Sequence, residues 1–375
     1  MSISSISVPL IDLKAQYESL RSEIDSAVQR VLSKGNYVMG EEVEAFESEW
    51  ANYCKAKYCV GFSSCSDALY VAVRLLAKRG ERVITTPFTF FATSWAIIRA
   101  GCIPIYIDVD NWTGNLPPED FKDEVALPVH LYGRPGDWKG SRLIEDSAQA
   151  HGLPLNVSGR ISIYSFYPTK NLGAMGQAGA LVTNDEGIAS LARELRNYCE
   201  RERFIHHGTA GGNFRMDELQ AAILRAKLPH LGEWNRLRRG IAQMYRSFLL
   251  DLIKEEEEIR EVDSIHVDSI HRGLYRWVRL PEDHPRHVYH IFAIRASNRD
   301  GLRAYLSEQG IQTAVRYPVP MHLQPALRGL GYSEGDFPHA EAWARENLSL
   351  PMYPELNANQ VEYICDKVKE WVRRR

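Results

Sequence analysis

The chain has 375 residues, of which 45% are hydrophobic and 25% are charged, and its formal net charge is -3 at pH 7. This length and composition predict a globular protein with a large core and more than one domain. Because charges of both signs are interspersed along the chain, we do not expect a basic surface that would bind nucleic acid.

The sequence also argues against a membrane, an export signal and a metal. No stretch reaches the roughly 18 consecutive apolar residues of a spanning helix, and the N-terminal sequence MSISSISVPLIDLKAQ does not resemble a signal peptide. The six cysteines lack paired CxxC spacing, and there is no HxxxH pair. We therefore expect a cytoplasmic protein with reduced cysteines, no membrane partner and no metal site.

The first two thirds of the chain predict an α/β domain. A helix is predicted from about Asp12 to Leu32, where apolar residues recur at helical spacing and Gly35 follows as a stop. Helical patterns at Asp67–Lys78 and Phe91–Ala100 then alternate with short apolar runs, which predicts a largely parallel sheet. The predicted strands are Tyr58–Phe62, Arg82–Thr85, Ile103–Ile107, Val125–His130, Leu143–Glu145, Ile161–Phe166 and Gly179–Thr183.

Two connections are informative. Only about a dozen glycine-rich residues separate the run that ends at His130 from the run that begins at Leu143, so we predict a crossover reduced to a loop or a single turn. The stretch from Asp217 to Leu249 predicts a helix with a break at Pro229, which would carry the chain out of the first domain.

The last third predicts a smaller α+β domain. The acidic run Glu255–Glu258 is interpreted as a solvated segment. Beyond it, the patterns predict a strand at Tyr289–Arg295, a helix at Asp300–Glu308 and a closing amphipathic helix at Asn359–Arg375. We place the large domain at residues 1–234 and the small domain at residues 235–375.

A lone lysine, Lys170, lies in a loop rich in proline, glycine and asparagine, in the segment ISIYSFYPTKNLGAMGQAGALVT. Most lysines are solvated surface residues, and composition alone favours that interpretation here. However, Ser165, Tyr167 and Asn171 supply polar groups beside it, and the nearby glycines let a ligand approach the backbone. A lysine in such a partly desolvated pocket can form a Schiff base with an aldehyde.

Two further segments are compatible with a bound cofactor. In LIEDSAQAHG an apolar run leads into Asp146. This residue either contacts a cofactor, as a carboxylate pairs with the pyridine nitrogen of pyridoxal phosphate, or only caps the following turn. In VGFSSCSDAL a strand leads through Ser64 and Ser66 into a helix, and this start either binds a phosphate or is an ordinary N-cap.

The segment PFTFFAT contains aromatic residues that either lie over a planar ring or pack in the core. Taken alone, the PFTFFAT motif favours core packing. The serine-rich segment VGFSSCSDAL, taken alone, favours an ordinary N-cap.

Together these segments resemble the DegT/DnrJ/EryC1/StrS aminotransferases of nucleotide-sugar and antibiotic-sugar biosynthesis, from about Pro9 to the final helix. The matching segments are GNYVMGEEVEAFE (35–47), SDAL (66–69), TPFTFFAT (86–93), PVHLYG (128–133), IEDSAQAHG (144–152), SFYPTKNLGA (165–174), GGNFRMDELQAAIL (211–224), YPVPMHLQPA (317–326) and LSLPMYPEL (348–356).

This resemblance implies fold type I of the pyridoxal-phosphate enzymes, which is the fold of aspartate aminotransferase. Its large α/β domain has a mostly parallel seven-stranded sheet, and its smaller C-terminal domain is α+β. The resemblance also implies a homodimer whose active sites are shared between the subunits.

By position, the resemblance assigns cofactor roles to residues of this chain. Lys170 would bind pyridoxal 5'-phosphate, Asp146 would hold the ring nitrogen, and Gln149 would contact the ring-oxygen side. Ser66 and Ser165 would bind the phosphate, Cys65 would belong to the same phosphate loop, and Phe90 would stack on the face of the ring. Asn213 would reach the phosphate of the neighbouring subunit's cofactor. Tyr317 and His322 would contact the substrate.

The reaction implied is a ping-pong transfer of an amino group from glutamate to a nucleotide-linked keto-sugar. Pyridoxamine 5'-phosphate carries the amino group between the two halves, and Lys170 is the base that moves the proton. The SFYPTKNLGA and PVHLYG segments resemble members that aminate a 3-keto sugar, because members acting at C4 tend to have a histidine after the Ser-Phe pair.

The sequence departs from the family at a few points. Cys65 stands where a glycine is usual, and a side chain there would narrow the phosphate loop; Gln177 interrupts a common Gly-Asp-Gly-Gly pattern. The connections Leu76–Arg82, Arg134–Ser141 and Leu153–Ile161 are shorter than usual, which affects the expected outer substrate pocket.

Other functions remain open at this point. The substrate could instead be a 4-keto sugar, a cyclitol ketone or a keto-octulosonate. In relatives that dehydrate sugars the lysine is replaced by histidine, so Lys170 argues against a dehydratase. A non-catalytic regulator on the same fold would tolerate loss of Lys170 or Asp146, and both are present.

Overall fold

The structure is a computed structural model that describes residues 7–153, 161–252 and 276–374. Its first part contains three helices, α1 (Leu13–Ser19), α2 (Arg21–Lys34) and α3 (Glu41–Tyr53). There follow β1 (Tyr58–Phe62), α4 (Cys65–Leu76), β2 (Arg82–Thr85), α5 (Phe91–Arg99), β3 (Ile103–Tyr106), β4 (Glu119–Asp120), β5 (Val125–Leu127), β6 (Trp138–Lys139), β7 (Arg142–Asp146), β8 (Ile161–Ser165) and β9 (Gly179–Thr183).

The second part begins with α6 (Glu186–Arg196) and a short hairpin of β10 (Glu200–Glu202) and β11 (Ile205–His206). The elements after it are α7 (Glu218–Lys227), α8 (Leu231–Phe248), β12 (Val278–Arg279), β13 (Phe292–Ala296), α9 (Arg299–Glu308), α10 (Pro338–Glu346), β14 (Asn347–Leu350) and α11 (Ala358–Arg373). Among the described residues, no helix is long and apolar enough to cross a membrane.

Seven strands form the main sheet in the order β1-β9-β8-β7-β5-β2-β3. The pairs from β8 to β3 are parallel, whereas β9 is antiparallel to both of its neighbours. The carboxyl ends of the parallel strands therefore meet at one edge, where ligands of open α/β sheets bind. The predicted fold class, with its mostly parallel seven-stranded sheet, is confirmed.

The β5 strand is shorter than the predicted run Val125–His130. Pro128 has no N–H to donate to the sheet, so regular pairing ends at Leu127. Only an isolated bridge between Val129 and Asp146 continues the pairing.

The crossover from β5 to β7 contains a single 3-10 turn, Leu131–Gly133, and the short strand β6, but no α-helix, as the residue count predicted.

Two predicted helices are each divided in the structure. The expected helix from Asp12 to Leu32 breaks at Leu20, and Asp12 caps its first part by accepting from the backbone N–H of Ala15 at 2.9 Å. Gly35 ends the second part in the left-handed conformation. The stretch from Asp217 to Leu249 divides at a 3-10 turn that contains Pro229, as predicted.

A second core lies between α8, α9, α11 and the antiparallel sheet β12-β13-β14. Val8 of the N-terminal segment packs into this core, and its N–H donates to the carbonyl of Gly310 at 2.9 Å. The predicted strand and helices of the last third are present with bounds shifted by a few residues. The acidic run Glu255–Glu258 lies outside the described residues, and the boundary at residue 234 stays a prediction.

Candidate active site

Asp146 ends β7 at the carboxyl edge of the main sheet, where its side chain is 4% exposed. Its carboxylate accepts from the Thr93 hydroxyl at 2.9 Å and from the backbone N–H of Ala148 at 3.1 Å. Burial raises the pKa of Asp146, and these two donors, with the nearby Lys170, act in the opposite direction. A buried carboxylate with only two donors can still accept from a cationic group.

Thr93 was not singled out in the sequence, although it lies in the matching TPFTFFAT segment. It is fully buried on α5, and its hydroxyl also contacts that of Thr89 at 3.1 Å. The signal that could have found it is the placement of two hydroxyls four residues apart, one before the helix start and one in its first turn. A chain of two threonines therefore orients the carboxylate of Asp146.

Lys170 lies in the loop after β8, and its backbone N–H donates to the carbonyl of Tyr167 at 2.9 Å. Burial lowers the pKa of Lys170 to about 8, partly opposed by Cys65 and Asp146, while Arg316 lowers it further. Within the described ranges, its amine has no hydrogen bond or ion pair with another residue. The amine loses its proton more readily than that of an ordinary lysine, and it has no partner among the described residues. It is therefore available as a nucleophile.

The loop that carries Lys170 is anchored by the next residue. The Asn171 side chain donates to the Oδ1 of Asn235 at 2.8 Å and to the carbonyl of Val288 at 2.9 Å. Asn235, on α8, donates in turn to the carbonyl of His151 at 2.8 Å. These contacts tie the loop that carries Lys170 to α8 and to the segment that precedes β13.

Gln149 joins two tyrosines beside Asp146. Its Oε1 accepts from the backbone N–H of Tyr132 at 2.6 Å, and its Nε2 donates to the hydroxyl of Tyr317 at 3.0 Å. The structure thus brings Tyr317, expected near the substrate, into contact with Gln149, expected near the cofactor.

The serine-rich loop leads into α4, as expected of a phosphate site. Ser64 is the N-cap and accepts from the backbone N–H of Asp67 at 3.1 Å, and its hydroxyl donates to the Asp67 carboxylate at 2.7 Å. Ser64 therefore acts as an ordinary cap, whereas the Ser66 hydroxyl has no partner within the described ranges. A Cβ at Gly179 would lie 2.4 Å from the backbone N of Cys65, so β9 touches the start of this helix.

Cys65 is the first residue of α4 and is partly exposed. Burial of its thiol raises the pKa of Cys65 well above the usual value, so the thiol stays protonated. The side chain expected to narrow the phosphate loop is thus neutral.

The other predicted residues differ in exposure. Ser165 is buried at the end of β8, and its Oγ accepts from the N–H of Tyr167 at 3.3 Å. Phe90 is 58% exposed, and its ring centroid lies 5.9 Å from that of Tyr317. Asn213 is exposed and bridges to Asn197 through the backbone.

His322, expected near the substrate, is buried and paired with the carboxylate of Glu341 at 3.0 Å. In this chain it is committed to that pair, and its contact with a substrate stays a prediction.

These residues fit pyridoxal phosphate. The site offers an unpartnered amine at Lys170, a buried carboxylate at Asp146 and a helix start with a free hydroxyl at Ser66, which match the aldehyde, the ring nitrogen and the phosphate. Among the described residues, no group of histidine, cysteine and acidic side chains could hold a metal ion.

Comparison with known proteins identifies the family of the chain. The profile of the DegT/DnrJ/EryC1/StrS aminotransferase family matches residues 18–369. A "Pleiotropic regulatory protein" of Geobacillus stearothermophilus is 40% identical over 98% of this chain and 99% of its own length. The dTDP-3-amino-3,4,6-trideoxy-alpha-D-glucose transaminase of Streptomyces venezuelae is 39% identical over 98% of this chain and 97% of its own.

Among solved structures, DesV of S. venezuelae, determined in complex with a ketimine intermediate, superposes with a TM-score of 0.86. It is 37% identical, and the match covers 98% of this chain and 99% of that one. The chain therefore belongs to the DegT/DnrJ/EryC1/StrS aminotransferase family, and it is a pyridoxal-phosphate-dependent aminotransferase.

Proposed function

We propose that this enzyme transfers an amino group from glutamate to the ketone of a nucleotide-linked 3-keto-deoxyhexose, in a ping-pong cycle. One observation carries the proposal: the unpartnered amine of Lys170 lies near the buried carboxylate of Asp146 in a chain 39% identical to a dTDP-3-amino-sugar transaminase. The SFYPTKNLGA segment, which has no histidine after Ser-Phe, supports position 3 of the sugar.

Each residue of the chain has a physical role in this proposal. Bound pyridoxal phosphate supplies an electron sink that stabilises negative charge on the carbon next to the nitrogen. Lys170 holds the cofactor and, when displaced from it, moves a proton between the substrate carbon and the cofactor. Its pKa of about 8 suits this work, because a base is most effective when its pKa is near the operating pH.

Asp146, Thr93 and Gln149 form the buried floor of the site, and their task differs from that of the phosphate end. Asp146 keeps the ring nitrogen protonated, and Thr93 holds the carboxylate of Asp146 in the required orientation. Gln149 is oriented by Tyr132 and Tyr317 on the ring-oxygen side. Ser66 and Ser165 bind the phosphate, with the N-terminus of α4 contributing backbone N–H groups.

The proposed assembly is a homodimer with shared sites. Apolar side chains are exposed at Tyr37, Val38 and Met39, and also at Met175 and Tyr198. These segments lie next to the chain around Asn213: the N–H of Glu218 donates to the carbonyl of Tyr37, the N–H of Met175 donates to Gln220, and the N–H of Tyr198 donates to the carbonyl of Gly212. An apolar surface of this kind suits burial against a second copy, to whose cofactor Asn213 would reach.

A visible spectrum tests the cofactor half of the proposal. Purified protein supplied with pyridoxal phosphate should show the band of a lysine-bound cofactor, and Lys170→Ala should lose it. Lys139→Ala, which changes an exposed lysine, is the matched control and should keep the band. A wild-type protein that stays colourless with added cofactor would instead support a regulator without chemistry.

A substrate panel tests the sugar half. The holoenzyme is offered glutamate or glutamine with dTDP- and UDP-linked 3-keto and 4-keto sugars, and the amino-sugar product is measured. We expect turnover of a 3-keto substrate with glutamate and parallel lines in double-reciprocal plots, as in a ping-pong mechanism. Amination of a cyclitol ketone or keto-octulosonate, with no nucleotide sugar accepted, would refute this substrate.

A further inference from the structure

Lys227, the last residue of α7, is a buried lysine that the proposed reaction does not use. It is 3% exposed. Its Nζ donates to the carbonyl of Gly173 at 2.8 Å and to the Oε1 of Gln16 at 3.0 Å. Among the residues that the structure describes, it has no ion pair. Two uncharged oxygens therefore hold an ammonium group of a kind that is rarely buried unless it is paired.

The burial of this ammonium group costs free energy. Removing the charge from water lowers the pKa of Lys227 to about 8, and the negative charge of Glu355 acts in the opposite direction. A long apolar side chain would fill the same space without that cost, and replacing buried charges in this way often leaves stability unchanged or raises it. Packing alone therefore does not explain this lysine, whereas its two hydrogen bonds need a donor that an apolar side chain lacks.

The carbonyl of Gly173 lies at the base of the loop that carries Lys170. The N–H of Ala174 donates to the carbonyl of Phe166 at 2.8 Å, so the segment between them is a closed loop with Lys170 near its middle. Gly173 is buried, and a Cβ at this position would collide with the backbone on the other side of the loop. A shift of Gly173 would therefore displace both sides of the loop, together with the lysine between them.

The loop is thus held at two separate places, by Asn171 close to the cofactor lysine and by Lys227 at the base. We propose that Lys227 is a positioning residue, whose ammonium group fixes the carbonyl of Gly173 and so sets where the amine of Lys170 meets the cofactor. The inference rests on the proposed role of Lys170. Placement matters here, because a displacement of about 1 Å in a reacting group can slow a reaction about 100-fold.

Three variants separate this role from packing. Lys227→Met removes the ammonium group and keeps a long, unbranched side chain. Gln16→Leu removes the other acceptor and leaves the contact with Gly173 in place. Lys139→Met changes an exposed lysine and is the matched control. The melting temperature of each protein is recorded, since a purely structural role predicts a lower melting temperature and unchanged kinetics.

The first measurement is the capture of pyridoxal phosphate by the apoprotein, followed by absorbance at several cofactor concentrations. In Lys227→Met the limiting rate at saturating cofactor should fall roughly 10- to 100-fold, because the amine is misplaced. The half-saturating concentration depends on the phosphate end of the site and should stay within about twofold of the wild type. Gln16→Leu and Lys139→Met should match the wild type in both quantities.

The second measurement is hydrogen exchange in the apoprotein, which needs neither cofactor nor substrate. Lys227→Met should lose protection in peptides that cover residues 166–174, where the N–H of Ala174 closes the loop. Gln16→Leu should keep that protection. If Lys227→Met does not fold, Lys227→Gln, whose side chain is one atom shorter and uncharged, takes its place under the same criteria.

The inference is overturned if Lys227→Met captures the cofactor at the wild-type limiting rate or keeps its protection at residues 166–174. It is also overturned if Gln16→Leu produces the same losses, because Lys227 would then act by attaching α1. Failure of the proposed function looks different: Lys170→Ala would keep the absorbance band of the bound cofactor, whereas the exchange of the loop does not depend on the cofactor.

Discussion

The floor and the mouth of the active site are built differently. On the floor, Asp146, Gln149 and Thr93 are buried and each is hydrogen-bonded to another residue of the same chain. At the mouth, Phe90 and Asn213 are exposed. The floor is therefore organised by the core of the chain itself, whereas the mouth presents its side chains outward.

This difference has a physical cause. A carboxylate that must hold a cation in a desolvated site has to be oriented in advance, because reorientation after binding would cost free energy. Residues that meet a partner subunit or a large substrate cannot be buried within their own chain. The predictions below test whether the floor acts through electrostatics and the mouth through assembly.

The largest effect is expected at the floor. Asp146→Asn keeps the shape of the side chain but removes the charge that we propose holds the ring nitrogen protonated. We expect kcat to fall about 10²- to 10³-fold, as when one preorganised electrostatic partner is removed. Asp137→Asn, at an exposed position, is the control and should be close to wild type.

The measurement is kcat in the overall reaction, with cofactor content determined for each protein. If Asp146→Asn retained wild-type kcat at full cofactor occupancy, the floor would not act through the charge of Asp146.

At the mouth, Asn213→Ala should weaken cofactor affinity about 10- to 100-fold, through loss of a hydrogen bond to a charged phosphate. The test of a shared site is complementation. Lys170→Ala and Asn213→Ala proteins are mixed, unfolded and refolded together. Activity is measured at a cofactor concentration that fills wild-type sites but leaves sites without Asn213 largely empty. In a mixed dimer one site then has both residues intact, so activity should return to about a quarter of the wild-type level by random pairing, with one good site in half of the dimers.

Refolding each variant alone is the control, and neither should gain activity. A mixture no more active than its two components would mean that Asn213 serves the site of its own subunit or no site.

The sequence predicted the elements better than the contacts between them. The β1 and β9 strands have the predicted bounds, because their buried runs are continuous and end at polar residues. Lys170, Asp146 and Ser66 came from motifs and fall at one edge of the sheet. Thr93 was missed because its contact is with Asp146, 53 positions away, and no local pattern indicates such a distant partner.

The same limit explains why Glu218 was not predicted as a cap. Its buried carboxylate accepts from the backbone N–H groups of Gly40, Glu42 and Val43, at 2.8, 2.9 and 3.1 Å. It thus closes the N-terminus of α3 from a helix some 180 residues away along the chain. This contact joins two of the segments that match the family, GNYVMGEEVEAFE and GGNFRMDELQAAIL.

A pH profile tests whether the floor also tunes Lys170. Because the folded-state pKa of Lys170 is lowered to about 8, its neutral, nucleophilic form grows as pH rises through 8. The neutral fraction should increase from roughly a tenth at pH 7 to roughly nine tenths at pH 9. The rate at which apoprotein captures pyridoxal phosphate, followed by absorbance, should therefore rise about tenfold over this range.

The Lys170→Ala protein provides the blank for this profile, since it has no amine at the site. A capture rate that keeps rising about tenfold per pH unit through pH 9, without levelling off, would show an unperturbed lysine and contradict the tuning.

The smallest effect isolates the orientation of Asp146. Thr93→Val keeps the volume of the side chain and removes the hydroxyl that donates to Asp146 at 2.9 Å. We expect kcat to fall several-fold, corresponding to about 1 kcal/mol for one hydrogen bond. Thr93→Ser restores the donor and should recover most of the loss, while Thr89→Val removes a hydroxyl that does not contact the carboxylate directly.

The spectrum of the bound cofactor is the second readout. If Asp146 holds the ring nitrogen protonated, as we propose, a misoriented carboxylate should change this spectrum, whereas a loss of stability alone should not. A purely structural role for Thr93 predicts a lower melting temperature with unchanged kcat and spectrum. An orienting role predicts changes in kcat and in the spectrum that Thr93→Ser reverses and Thr89→Val does not produce. With that result, the hydroxyl of Thr93, and not that of Thr89 behind it, would orient the carboxylate of Asp146.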